Sequence, residues 1–320
     1  MSPATQTTST QRMHFDWRLR TRSLALGERT LVMAILNVTP DSFSGDGLLA
    51  PELSASRLTP AMAKMAGNKM AIALAVQAVD AGADIIDLGA ESTRPNAVPI
   101  EPYEEQDRLL PVLEGLLAAR PRAIVSVDTY HAETARAACR AGAEIVNDVS
   151  GLNWDDEMAA AAAASGCGLV LAHARGRSWE WSSLPALLPA DIVPTVYQGL
   201  CESLMRAEEA GIARSRIVTD PGFGLGKRGR ENITLLSGLG RLRELGRPLL
   251  VGLSRKRFLG ELAAPVQPPG VKTVADSRRA ATIAANVAAI LAGAHIVRVH
   301  DVQATREAAA VADAVLKSRE

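Results

Sequence analysis

The sequence predicts an α/β fold, a TIM (β/α)8 barrel with a short N-terminal hairpin-like extension, and three observations predict it. Eight short apolar runs alternate with alanine-rich stretches of helical period. A seven-residue frame, A-G-A-x-I-[IV]-polar, recurs at 81–87, 141–147 and 292–298. Its glycine stands where a helix ends, and a strand starts two residues later, the mark of a repeated unit. Each apolar run then closes on a polar or charged residue, and in a barrel the C-terminal strand ends build the active site. An open doubly wound sheet is the alternative. It requires a glycine-rich dinucleotide turn after an early strand, whereas the first strand here runs into NVTPDSF.

Residues 1 to about 12 are rich in Ser and Thr without periodicity and read as a loose tail. Over 14–29, Phe15, Trp17 and Leu19 alternate and Gly27 suggests a turn, so a short hairpin is expected. Residues 1–30 are thus the tail and hairpin, and 31–320 the barrel. The eight strands fall at 31–37, 84–89, 123–128, 144–150, 168–174, 217–222, 248–254 and 295–300. Their continuous apolar character suits parallel strands buried on both faces. Between them, Ile72, Val76 and Val79, and later Ala304, Ala308, Val311 and Val315, recur at helical spacing and are the expected core-facing stripes.

Composition narrows the function. Lys plus Arg and Asp plus Glu both number 35, which argues against a nucleic-acid or anionic-membrane binder. Aromatics make up only 3% against 48% hydrophobic residues, so the core is aliphatic and alanine-rich. No apolar run reaches the ~18 residues of a membrane span, and the polar start does not resemble a secretory signal. Three cysteines without CxxC spacing argue against disulfide frameworks and zinc sites and for a reducing, cytoplasmic setting.

The strand ends carry the chemistry: Asn37, Asp87, Asp128, Asn147, His173, Asp220, Ser254 with Lys256 just beyond, and Arg298 with His300. Asp87, Asn147 and Arg298 share one register within the repeated frame, so they are expected to face a common space. Asp87, Asp128, Asn147 and Asp220 suit a flat, donor-rich heterocycle, because a carboxylate accepts two parallel N–H donors. Asn37, Ser254, Arg255, Lys256, Arg298 and His300 suit phosphate oxygens. A pterin bearing a diphosphate satisfies both halves. GFGLGK (222–227) lacks P-loop spacing, and G-x-S-x-G and H-E-x-x-H are absent. His131 is expected to be solvated near a helix start. Arg18, Arg20 and Arg22 are expected to form a solvated face of the hairpin, and Trp179 and Trp181 a surface packing patch.

AILNVTPDSFSGDG (34–47), IIDLGAESTRP (85–95), VSVDT (125–129), IVNDVSG (145–151), DPGFGLGK (220–227), GLSRKRFLG (252–260) and IVRVHDV (296–302) together resemble the dihydropteroate synthases, pterin-binding barrels of folate biosynthesis and targets of sulfonamides. The resemblance spans about 31–302 in the family's order. It implies condensation of a dihydropterin-CH2-O-diphosphate with p-aminobenzoate to give dihydropteroate and pyrophosphate, in a Mg2+-dependent homodimer. Carried over, Asp128, Asn147, Asp220 and Lys256 hold the pterin, and Asp87 lies near the reacting methylene. Asn37 ligates Mg2+ on the diphosphate, whose oxygens Arg298 and His300 bind. The loop from Thr39 through Asp41 to Phe43 closes over the site and joins the catalytic set of Asp87, Lys256 and Arg298. The loop carrying Ser92, Thr93, Arg94 and Pro95 closes from the other side, and Phe43, Thr93, Arg94, Pro95, Phe223 and Ser254 form the aminobenzoate pocket.

Three departures bear on pocket shape: Ala172-His173-Ala174 where the family has Met-His-Met, a longer segment over 48–68, and Asn96 where Gly is common. The alternative within the superfamily is a corrinoid-dependent methyltetrahydrofolate methyltransferase, which needs neither the SRK and RVH residues nor NVTPDSF. A non-catalytic pterin-binding relative is expected to have lost one of these motifs. A barrel aldolase needs a Schiff-base lysine on a strand, for which Lys256 beside Arg255 is poorly placed.

Overall fold

The computed structural model describes residues 12–39, 60–91, 99–266 and 274–319. Two short antiparallel strands, β1 (Phe15–Arg18) and β2 (Ser23–Leu26), precede eight parallel ones. These are β3 (Leu31–Asn37), β4 (Ile85–Gly89), β5 (Val125–Asp128), β6 (Ile145–Asp148), β7 (Gly168–Ala172), β8 (Ile217–Asp220), β9 (Leu250–Val251) and β10 (Ile296–Val299). They pair in the order β8-β7-β6-β5-β4-β3-β10-β9, and a bridge between Thr219 and Leu249 joins the two ends of that row. The eight-stranded barrel expected from the sequence is present, each strand within its expected run and most of them shorter.

The described helices surround it: α1 (Pro60–Asp80), α2 (Pro102–Ala119), α3 (Ala132–Ala141), α4 (Met158–Ser165), α5 (Pro189–Glu209), α6 (Arg230–Ser237), α7 (Arg257–Ala263), α8 (Val274–Leu291) and α9 (Val302–Lys317). None among the described residues is long and apolar enough to cross a membrane. The repeated frame has a shared physical cause. Gly82, Gly142 and Gly293 take φ of +91°, +116° and +108°, the left-handed turn that ends a helix cheaply only at glycine. The next residue then donates back into the helix, Ala83 to Ala78 O, Ala143 to Ala138 O and Ala294 to Ala289 O, at 2.9, 2.9 and 3.0 Å.

Strand alternation sorts the barrel interior into levels. Met33, Ile85, Ile145, Val218, Leu250 and Ile296 belong to one apolar cluster at the strand starts. Two residues on, or four in β3, the same inward face presents Asn37, Asp87, Asn147, Asp220 and Arg298. The outward residues, such as Val32, Ile86, Leu88, Val125, Val127 and Val297, pack beneath the helices in the main core.

The hairpin closes the apolar end. Trp17 and Leu26, each 1% exposed, join the interior cluster, and Trp17 Nε1 donates to Arg216 O at 2.8 Å. Its turn lies at Leu19–Arg22, where Leu19 N donates to Arg22 O at 2.8 Å, not near Gly27. Gly27 follows β2 instead, at φ +116°. Arg18, Arg20 and Arg22 are exposed as expected. Trp17→Ala is expected to cost about 3–5 kcal/mol in urea unfolding followed by circular dichroism, with kcat unchanged while the chain is folded. A loss under about 1 kcal/mol would show that the hairpin is not part of the interior core.

One helical stripe differs from expectation. On α9 the buried residues are Val302, Thr305, Ala309, Ala312 and Leu316, while Val311 and Val315 are exposed. In an alanine-rich helix several stripes share the same period, and only packing against β3 and α8 selects among them.

Candidate active site

The polar level lies at the C-terminal mouth. Asn37, Gly89, Asp128 and Asn147 are successive register partners across β3, β4, β5 and β6, so their inward faces form one row. A Cβ at Gly89 would lie 3.4 Å from Asp128 Cβ and 3.8 Å from Asn37 Oδ1, which places the amide oxygen of Asn37 beside Asp128. Arg298 starts lower, paired with Met33 on β3, and its length carries the guanidinium up into this row.

That guanidinium joins the acids. Arg298 Nε donates to Asp87 Oδ2 at 2.5 Å, and Nη2 donates to Asp128 Oδ2. Asn147 Nδ2 donates to the same Asp87 oxygen at 3.1 Å. Asp87, Asn147 and Arg298, equivalent in the repeated frame, therefore converge on one carboxylate oxygen. Asp87 is wholly buried, and its Oδ1 accepts no hydrogen bond among the described residues. A buried acceptor left open costs about 1–3 kcal/mol and marks a place where a ligand supplies the missing donor. The acid half and the cationic half expected from the sequence are thus interlocked through Arg298.

Charge is tuned by this arrangement. Removal from water pushes the Asp128 carboxyl up to about 7, against the pull of Arg298 and with the push of Asp87. Burial likewise lowers Lys256 to about 8, reinforced by repulsion from Arg298 and opposed by Asp220 and Asp128. Burial opposes the charge on Arg298, but Asp87 and Asp128 outweigh it and hold the guanidinium above its usual range. Asp220 is raised by burial, although Gly222 N donates to its Oδ1 at 2.8 Å.

The loop after β8 supports this wall. Gly222 has φ +66°, and a Cβ there would meet His173 O at 2.1 Å, so no other residue fits. Lys256 lies across Gly224, its Nζ 3.4 Å from where a Cβ would be. Ser254 Oγ and His300 Nδ1 are hydrogen-bonded at 2.9 Å, so these two expected site residues share one location. Phe223 is 1% exposed and packs in the main core. Arg255 takes φ +56°, with its backbone held by Thr282 and Arg278. Thr39 is half-buried at the end of the described segment after β3. Asp41, Phe43, Thr93, Arg94, Pro95 and Asn96, and residues 48–59 of the long segment, lie outside the described residues.

Three expectations are corrected. His173 does not face the mouth. Its ring lies against Gly199 of α5, and its Nδ1 is 3.0 Å from Lys227 Nζ. Burial, with Lys227 and Arg175 nearby, takes its pKa down to about 2. His131 is not simply solvated, because its Nε2 lies 3.0 Å from Glu91 Oε2. Burial opposes its protonation, but Glu91 and Glu105 outweigh that and raise it. Of the two tryptophans only Trp179 is exposed. Trp181 is buried and donates to Gly176 O at 3.2 Å.

Sequence reasoning missed Lys227 and Asp148. Lys227 is buried, binds His173 O at 2.9 Å and Leu225 O at 3.0 Å, and is lowered by burial to about 7. It ties the loop after β8 to the end of β7, and its signal was the GFGLGK run. Asp148 follows Asn147 and accepts from Ser150 N and Leu152 N at 2.8 and 2.7 Å, shaping the turn after β6. Tyr130 also belongs here, since its hydroxyl donates to Glu91 Oε1 at 2.6 Å.

Residues 33–300 match the family described as pterin binding enzyme. The dihydropteroate synthase of Escherichia coli K12 is 37% identical over 90% of this chain and 93% of its own length. The chain belongs to the dihydropteroate synthase family of pterin-binding enzymes. The Xanthomonas albilineans dihydropteroate synthase solved with 4-aminobenzoic acid is 39% identical, with a TM-score of 0.78 over 94% of this chain and 98% of that one. The Yersinia pestis dihydropteroate synthase in a sulfonamide complex has a TM-score of 0.80 at 35% identity, covering 95% of this chain and all (100%) of that one. The interlocked acids and arginine thus sit in a dihydropteroate synthase barrel rather than one of the corrinoid methyltransferases.

Proposed function

We propose that this chain condenses a dihydropterin-CH2-O-diphosphate with p-aminobenzoate, forming dihydropteroate and releasing pyrophosphate. One observation carries the reading: a buried carboxylate with an open oxygen, Asp87, held by Arg298 and Asn147 at the barrel mouth. Asp128, Asn147, Asp220 and Lys256 bind the pterin edge. Arg298 and His300 take the diphosphate oxygens, and Ser254, which bonds His300, stands at the join with the aminobenzoate. Phe223 supports that ring from beneath. Thr39, Asp41, Phe43, Thr93, Arg94 and Pro95 complete the cover and the aminobenzoate pocket.

The chemistry needs no protein nucleophile. The methylene C–O bond breaks with its electron pair leaving on the diphosphate, whose charge Arg298 and His300 stabilise. The carbon left behind delocalises positive charge into the pterin ring, and Asp87 favours it. The neutral arylamine forms the C–N bond and loses its proton to water. A Mg2+ ion would add charge stabilisation at the departing diphosphate. Among the described residues no three His, Cys, Asp or Glu side chains gather as a metal cage. Asn37 supplies one neutral oxygen, which fits a cation otherwise held by phosphates and water. In this reading the active form is a cytoplasmic homodimer.

A coupled assay of pyrophosphate release, with both substrates, tests the reading. Turnover is expected only with both, and methyl transfer to cobalamin without pyrophosphate release would replace it with the methyltransferase alternative. Chelator is expected to lower turnover and added Mg2+ to restore it; full activity in chelator would remove the metal role from Asn37.

Affinity for the pterin diphosphate is expected to be bell-shaped in pH. Binding needs ionised Asp128, so it weakens as pH falls through about 7, and protonated Lys256, so it weakens as pH rises through about 8. Stability of the free chain follows another sign. Asp128 is raised from 3.8 to about 7, so between these values the folded chain binds more protons than the unfolded one. Its contribution to stability therefore falls as pH rises across that window. Calorimetric titration from pH 5.5 to 9.5 checks the bell; a flat profile would discard both assignments.

A further inference from the structure

We infer that Cys139 and Cys167 form an oxidisable dithiol, a modification site at which a hydroperoxide converts two thiols into a disulfide joining α3 to the root of β7. The sulfurs lie 2.7 Å apart, and both residues are buried, at 4% and 1% exposure. Neither belongs to the active site, because Cys139 stands in the last turn of α3 and Cys167 just before β7, at the strand-start end of the barrel. No motif marks the pair, which is separated by 28 positions and has no CxxC spacing. The fold alone makes the contact.

Both backbones are fixed at the contact. Cys139 O accepts from Gly142 N, the left-handed residue that ends α3, at 3.3 Å. Cys167 N donates to Ser165 Oγ at 3.1 Å, and its carbonyl accepts from Arg216 Nε at 2.8 Å. The two cysteines are also unlike. Hydrogen bonding from Cys139 holds the Cys167 thiol below its usual range against burial, helped by Ser165, Arg20 and Arg216. The same bond, with burial, pushes Cys139 up. With its carbonyl bonded by the Arg216 guanidinium and its N–H by Ser165, Cys167 stands nearer to positive charge and is assigned the attack, with Cys139 as the resolving thiol.

The steps balance. The Cys167 thiolate attacks one peroxide oxygen, the O–O bond breaks, and Cys167 becomes a sulfenic acid as hydroxide leaves. Cys139 sulfur then attacks the Cys167 sulfur, the S–O bond breaks, and hydroxide leaves again. With the protons returned, two thiols and one hydrogen peroxide give one disulfide and two waters. The thiols are oxidised and the peroxide is reduced.

Hydrogen peroxide on the full chain tests this, followed by thiol counting in denaturant and peptide mapping. The count is expected to fall from 3 thiols to one, with a peptide linking Cys139 to Cys167. The melting temperature is expected to rise by about 5 °C. Cys201→Ser is expected to leave the linked peptide unchanged. Cys139→Ser is expected to stop Cys167 at a sulfenic acid that a cyclic-diketone probe captures. Three persistent thiols, a link through Cys201, or sulfinic acid at Cys167 without a linked peptide would overturn the proposal. These readouts do not involve turnover, so they stand or fall separately from the proposed activity.

Discussion

Arg298→Ala is expected to lower kcat/KM for the condensation by about 10³-fold or more, beyond the ~10²–10³ typical of losing one preorganised donor. The excess comes from what the arginine leaves behind. Its guanidinium holds Asp87 through Nε and Asp128 through Nη2, so its removal leaves two neighbouring carboxyls without their shared cation. Asp128, already raised to about 7, then takes a proton at neutral pH and no longer accepts from the pterin. Affinity is therefore expected to fall for a diphosphate-free pterin as well as for the pterin diphosphate, with the larger fall for the diphosphate. Calorimetry with both ligands decides. An undiminished affinity for the diphosphate-free pterin would mean that the arginine acts on phosphate alone, and an equal fall would mean that it acts only through the acids. Arg298→Lys is expected to rescue little, because an ammonium cannot bridge two carboxylates in the fork geometry.

The interlock also shows which parts of the site the sequence could disclose. Strand positions were legible because buried parallel strands leave short apolar runs. The convergence of Asp87, Asn147 and Arg298 was legible because one repeated frame fixed their register, through the glycine turn that ends each preceding helix. What the frame could not give was reach. Arg298 starts opposite Met33, four residues before Asn37 of the row it serves, and only the length of its side chain brings it between Asp87 and Asp128. Hence Arg298, expected among the phosphate-binding cations, also bridges two of the acids. His173 failed for a related reason, since a residue at a strand end can still turn outward when its neighbour Ala172 takes the inward place. Lys227 was hidden inside a glycine-rich run, because it acts through backbone carbonyls that no motif records. The buried stripe of α9 was ambiguous because alanine marks inside and outside alike.

Asp87→Asn is expected to reduce kcat by about 10²–10³-fold, equivalent to about 3–4 kcal/mol of transition-state stabilisation, while the fold persists. The side chain keeps its shape, but its hydrogen-bonding pattern is forced. Oδ2 already accepts from Arg298 and Asn147, so the amide oxygen of the variant must take that place. The NH2 group then occupies the position of Oδ1, the buried oxygen with no donor among the described residues. An acceptor facing the ligand becomes a donor, and the charge that favours a developing pterin cation disappears. Both changes fall on the transition state more than on the bound substrate, so KM for p-aminobenzoate is expected to move little. Pre-steady-state measurement of pyrophosphate release separates the chemical step from product release. A variant that released pyrophosphate at the parental rate would show that the carboxylate orients the pterin without stabilising its charge. If only pterin affinity fell, the open oxygen of Asp87 would be a ligand anchor, and the electrostatic role would pass to Asp128 beside it.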